Sequence, residues 1–139
     1  MQLRQEITPE YLNRGGSDVL PGLLDVEIVS VELGKLTGRM PVTNKHLAIN
    51  GYLHAASVIA LADTCCGNAT IAHLPEGAKG FTTIETKCNH ISTLRNGVAA
   101  CTATVVHAGR STQVWDARVY DEATEKVIAV FRCTQMILW

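Results

Sequence analysis

The sequence predicts an α+β fold, a curved antiparallel sheet of five to six strands wrapped around one long central helix. Three observations predict it. One stretch, "NGYLHAASVIALADTCCGNATIAHL" from Asn50 to Leu74, is apolar throughout and dominated by good helix formers. Four later segments are rich in Val, Thr, Ile and aromatic residues, the composition of strands. A chain of 139 residues, with no repeat or composition shift, fits a single domain over residues 1–139 that buries its own core.

The elements follow in order. "TPEYLNRGG" reads as a short helix capped by Thr8, with Pro9 at the first helical position and a glycine stop. "LLDVEIVSVELGKLTGRMPV" supplies two strands with Gly34 and Gly38 bracketing a turn. Residues 52–72 form the long helix. Its apolar residues fall on every side, the mark of a helix surrounded by protein. "LPEGAKG" stops it. Then "FTTIETKCNH", "GVAACTATVVHAG", "STQVWDARVYD" and "KVIAVFRCTQMIL" read as four strands in antiparallel succession, with turns at Asn96-Gly97, at Gly109 and in "DEATEK". One helix cannot cover both faces of such a sheet, so the outer face calls for another chain, in a homodimer or homotetramer.

Composition narrows the function. Twelve Lys and Arg against thirteen Asp and Glu leave a net charge of −1, which argues against a duplex nucleic-acid binder and against a polybasic membrane-surface segment. Five cysteines have no metal-knuckle spacing, and the five histidines have no metal-ligand spacing, so no metal is expected. The N-terminus lacks a secretory pattern, and Asp63, Asn68 and His73 interrupt the apolar stretch as a membrane span. A reduced, cytoplasmic protein is the expectation. No G-x-S-x-G elbow is present, which closes the serine-hydrolase route.

The carboxylate in the apolar helix is the chemical clue. An acid in apolar surroundings costs several kcal/mol unless satisfied. Such a cost is met where chemistry uses a raised pKa, although pairing with a cation from the sheet would also satisfy it. Asp63 stands nine residues after His54. At about 100° per residue the two side chains point half a turn apart. Either His54 lies in a non-helical lead-in, or the two act from different subunits. "HLAINGYLHAAS" places Asn50, Gly51 and His54 just before the helix, whose unpaired N–H groups and positive dipole end can polarise a carbonyl oxygen.

At these residues the chain resembles the hotdog-fold acyl-CoA thioesterases of the PaaI type, which act on phenylacetyl-CoA and hydroxybenzoyl-CoA. Their hallmark is a loop ending in Leu-His-Gly-Gly, followed by an alanine-rich helix with an acid nine residues after the His. Here the matching text is "YLHAASVIALAD". The resemblance covers roughly residues 20–138. It implies that Asp63 is the catalytic carboxylate, as nucleophile or general base. It also implies that the Ala55 backbone N–H polarises the thioester carbonyl, that His54 organises the loop, and that the site is assembled across a dimer. Two positions depart from the pattern. Ala55 replaces a glycine, and Ala48 stands where the family often has Gln or Asn, with the nearest amide at Asn50.

The resemblance extends to the strand "GFTTIETKCNH", where Thr83 matches a hydroxyl near the attacking water and Thr82 is read as an ordinary strand residue. It extends also to "HAGRST", where Arg110, Ser111 and Thr112 match a turn that handles CoA phosphates. Arg95 in "STLRNG" is a second phosphate candidate, and Lys45-His46 a third. The expected function is hydrolysis of an acyl-CoA thioester without a cofactor, coenzyme A being part of the substrate. Two alternatives stand beside it: a non-catalytic acyl-CoA-binding or interaction module of the same fold, and a hydroxyacyl-thioester dehydratase.

Overall fold

A computed structural model describes residues 1–139. The chain opens with α1 (Pro9–Gly16), where Thr8 Oγ1 accepts from the Tyr11 N–H at 3.2 Å and Pro9 fills the first turn. The helix runs through both glycines that were expected to stop it and ends at Ser17, whose hydroxyl donates to the Arg14 carbonyl. The Asn13 carboxamide accepts from the Ile28 N–H and donates to the Ile28 carbonyl, at 2.7 and 2.9 Å. That double bond clamps α1 to the sheet edge. A second short helix, α2 (Leu20–Leu23), has Pro21 in its first turn and reaches the first residue of the segment expected as strand. Strand structure begins only at β1 (Glu27–Glu32).

β1 and β2 (Lys35–Pro41) form the expected hairpin, turning at Leu33-Gly34, with Gly34 at φ +74°. Gly38 does not belong to that turn. It lies inside β2, where a Cβ would sit 2.7 Å from Cys65 Sγ of the core helix. Its role is to let the helix approach the sheet.

A 3₁₀ turn (Asn44–His46) leads into a tight loop, closed by a bridge between Leu47 and Leu53. The core helix α3 (Ala55–Ala72) starts three residues later than expected. His54 is extended, at φ −68° and ψ 139°, and caps the helix by accepting from the Ala56 N–H at 2.9 Å through Nδ1. The helix is not enclosed on all sides. Val58, Leu61, Ala62, Cys65, Cys66 and Ala69 are buried against the sheet, while Ala60, Asp63, Thr64, Gly67, Asn68 and Ile71 form a half-buried outward stripe. By length and composition α3 could cross a membrane, but half of it is packed inside this fold.

His73 ends the helix and locks it in place. Its Nε2 accepts from the Gly34 N–H at 3.0 Å, which leaves Nδ1 to donate to the Ala69 carbonyl at 2.7 Å. Gln113 donates to the His73 carbonyl, and the Trp115 indole donates to Gln113. The turn of the first hairpin, the helix end and the central strands are thereby tied through one buried network.

The remaining strands are β3 (Gly80–His90), β4 (Val98–Ala108), β5 (Thr112–Asp121) and β6 (Val127–Leu138). All six form one antiparallel sheet in the order β1-β2-β4-β5-β6-β3. The expected succession fails at one joint: β3 pairs with β6, and β4 pairs with β2. Residues 91–97, expected to hold a hairpin turn, are a crossover pinned by Val42 N–H to Gly97 and Leu53 N–H to Leu94. Gly38 of β2, Ala99, Cys101 and Ala103 of β4 and Ala117 of β5 are small and let α3 approach, beside the bulkier Leu36, Met40 and Trp115 of β2 and β5. Phe81 of β3 meets the helix flank at Gly67.

Candidate active site

Asp63 sits on the outward stripe of α3. Its Oδ1 is buried without a hydrogen-bond partner, and the side chain belongs to no ion pair. Burial pushes the carboxyl above the ordinary aspartate range, because the charged form is desolvated and nothing compensates it. The alternative of a cation from the sheet satisfying this acid does not hold within the chain.

Phe81 of β3 packs on Gly67, one helical turn from Asp63. Thr83 follows two residues later, on the same face of β3 as Phe81. Both Thr82 and Thr83 are exposed in the single chain.

The loop before the helix forms the second part of the site. Ala48 and Tyr52 close it by backbone hydrogen bonding, and Gly51 turns it at φ +78°. Asn50 lies at the exposed tip, where its Oδ1 accepts from the Tyr52 N–H at 3.2 Å, leaving the NH2 free. At the helix start the Ala56 N–H is taken by His54, and the Ser57 and Val58 N–H groups by the His54 carbonyl. The Ala55 N–H has no partner in the chain. Its methyl is exposed, so alanine replaces glycine here without crowding the fold.

His54 is in the non-helical lead-in, one of the two arrangements the sequence left open. It remains far from Asp63 along the helix, since nine residues of rise separate them by roughly 13 Å. No cavity of the single chain brings Asp63 and the Asn50–Ala55 loop together.

The phosphate candidates separate to opposite ends of the fold. Arg95 stacks over Tyr52 at 4.1 Å, beside the loop at the helix start. Arg110 stacks over Trp139 at 4.9 Å, beside a cavity of about 960 Å³ at the helix end that His73 and Arg4 also line. Ser111 is exposed next to it, and Thr112 opens β5. Lys45 pairs with Asp25 at 2.7 Å. His46 is fully buried, accepting from the Thr43 N–H and donating to the Leu24 carbonyl, and so is removed from any ligand surface.

A cysteine nucleophile finds no support. Cys66 and Cys101 hold their protons, first through hydrogen bonds with Cys133 and Cys65 and then through burial. No group of three or more His, Cys, Asp or Glu is placed to hold a metal ion.

The family model for the thioesterase superfamily matches residues 50–128, which span the loop, the core helix and three of the four strands that follow it, together with the first two residues of the last. The chain belongs to the thioesterase superfamily. This thioesterase is 35% identical over 111 residues to a 1,4-dihydroxy-2-naphthoyl-CoA hydrolase of Listeria monocytogenes, covering 80% of the chain and 89% of that relative. Two solved thioesterases, from Pseudomonas aeruginosa and Haemophilus influenzae, superpose with TM-scores of 0.92 at 27% and 28% identity, each over 99% of this chain and over 99% and 95% of theirs. The PaaI protein of Escherichia coli shares the fold at a TM-score of 0.77 and 22% identity, covering 86% of this chain and 83% of its own. The fold is thus the hotdog fold of the PaaI-type thioesterases, and the chemistry of the family is acyl-thioester hydrolysis.

Thr64 and Asn68, on the same outward stripe as Asp63, were not singled out from the sequence. A helix read as buried all round offered no reason to single out its outward stripe.

Proposed function

We propose that this thioesterase hydrolyses an acyl-CoA thioester to the free acid and CoA, with Asp63 of one subunit facing the Asn50–Ala55 loop of a second copy. One observation carries the reading: a half-buried carboxylate without a partner and an N–H without a partner lie on one helix, too far apart to share a substrate. Two copies remove the difficulty. The exposed loop tip at Ile49 and the open edge of β3, with Ile84 exposed, offer apolar surface for such a pairing.

The chemistry follows from the groups. The thioester oxygen takes the Ala55 N–H, and the positive end of α3 stabilises the oxyanion as the carbonyl is attacked. Asp63 either accepts a proton from the attacking water or attacks the carbon itself, forming an anhydride that water then opens. In both routes the C–S bond breaks and CoA leaves as a thiolate that takes up a proton. A carboxyl with a raised pKa is the better base for this purpose. Thr83 positions the water, His54 fixes the loop through the Ala56 N–H, and the free NH2 of Asn50 supplies the polar contact that Ala48 lacks. No metal or cofactor is required.

Two solved variants of a Staphylococcus aureus thioesterase, 32% identical to this chain, replace a glutamine and a glutamate that stand fifteen positions apart. The residues at that separation here are Ala48 and Asp63. That spacing supports Asp63 as the acid. Arg110 is the better phosphate ligand, with Ser111 and Thr112 beside it. It borders the cavity at the helix end with His73, and His73 stands ten residues of rise, about 15 Å, beyond Asp63, which suits the length of a pantetheine arm. Arg95 is too close to the oxyanion loop for that role, and its stacking on Tyr52 holds the loop.

The direct test is Asp63→Asn with thiol release followed across an acyl-CoA panel. Turnover should fall by orders of magnitude with the circular dichroism spectrum unchanged. An Asn variant as fast as the parent removes the acid from the mechanism.

A further inference from the structure

On the flank of α3, beginning at Thr64 next to Asp63, lies a second cavity, of about 450 Å³, walled on its outer side by α1 and α2. Its size is that of a small-ligand pocket. The wall is largely apolar, with Leu12, Val26 and Ile71 contributing. Three polar side chains line it without a hydrogen-bond or ion-pair partner: half-buried Thr64 and Asn68 from α3, and Arg14, exposed at its rim, from the last turn of α1. Asn13 also lines it, but both of its polar atoms are committed to Ile28. Thr64 directly follows Asp63, and Ile71 lies about 12 Å further along the helix than Asp63. A group whose thioester carbon is at Asp63 can therefore extend along α3 into this space.

We propose that the cavity receives the acyl group and that Arg14 selects acyl groups ending in a carboxylate, so that the substrate class is the CoA monothioester of a dicarboxylic acid. This rests on the hydrolase reading above. An apolar wall takes the carbon body, and a free guanidinium matches a carboxylate in planar, two-pronged geometry. The Asn68 amide and the Thr64 hydroxyl add donors on the opposite wall. A simple alkyl group would fill the cavity but leave all three donors unused. The competing explanation is that Arg14 only meets the C-terminal dipole of α1, which predicts an effect on stability and none on substrate choice.

The experiment compares matched pairs, adipyl-CoA with hexanoyl-CoA and 4-carboxybenzoyl-CoA with benzoyl-CoA, on the full protein. The parent should favour the carboxylated member of at least one pair by about tenfold in kcat/KM. Arg14→Met, which keeps the aliphatic stem, should lower that value by about tenfold while leaving the uncharged member within about twofold, and Arg14→Lys should recover part of the loss. Equal effects on both members, or none, overturn the inference. Binding of non-hydrolysable thioether analogues by calorimetry separates the two levels. If no ester releases thiol, the hydrolase reading falls, and loss of carboxylate-dependent binding in Arg14→Met still sustains the selectivity. Unchanged binding ends it.

Discussion

Asp63 is held in a state that works against the fold. Its carboxyl is pushed above the ordinary value of 3.8 by burial, so folding works against the charged form. The favourable contribution is present in full below pH 3.8 and is lost as pH rises through the folded value. Asp63→Asn should therefore melt at a higher temperature than the parent at pH 7, with the gap closing toward pH 4. Thermal melts across that range check it; a constant gap would mean that the acid is solvated. His73 has the opposite sense. Burial lowers it from 6.5, against the hydrogen bond to the Ala69 carbonyl, which favours the charged form. Its contribution is complete above pH 6.5 and is lost as pH falls below it. His73→Asn should be less stable at pH 8 but lose stability less steeply between pH 6.5 and 5. The role of Asp63 was legible because an acid stands alone among apolar residues. That of His73 was not, since its partners Gly34 and Gln113 lie about forty positions away in each direction.

At the scale of elements, α3 and the sheet are fitted to each other at a few small residues. A Cβ at Gly38 would meet Cys65 Sγ at 2.7 Å. Gly38→Ala should cost about 1–3 kcal/mol in chemical denaturation, as overpacked cores do. Cys65→Ala in the same chain should recover most of it; no recovery would show that the cost is not steric. Placing Gly38 in a turn was the sequence error here, because glycine marks turns and close approaches alike. The start of α3 allows a cleaner experiment. Ala55 is the first helical residue, and His54 before it is already extended, so Ala55→Pro removes the free N–H from a position that favours proline. The variant should keep its melting temperature and lose most of its thioester turnover. A variant that keeps full activity would move the oxyanion site elsewhere.

The whole molecule carries the question that one chain leaves open. The strands were readable from composition, and their partners were not, because alternation reports a face and not a neighbour. The pairing of β3 with β6 is a tertiary fact that no local pattern encodes. It leaves the eleven residues of β3 as an open edge. Assembly across two chains can be tested without a complex structure. Ala55→Pro and Asp63→Asn chains, each inactive alone, should regain activity when unfolded together and refolded. One intact site in half of the dimers gives about a quarter of the parent rate. Absence of any recovery would place both groups of a working site in the same subunit.

Both ends of the chain converge on the larger cleft. Met1 to Glu6 form one wall, and Trp139 is stacked on Arg110 at the other. Removing residues 1–6 or replacing Trp139 therefore alters the region proposed for the nucleotide, so Michaelis constants of such variants should differ from the parent's even where maximal rates agree.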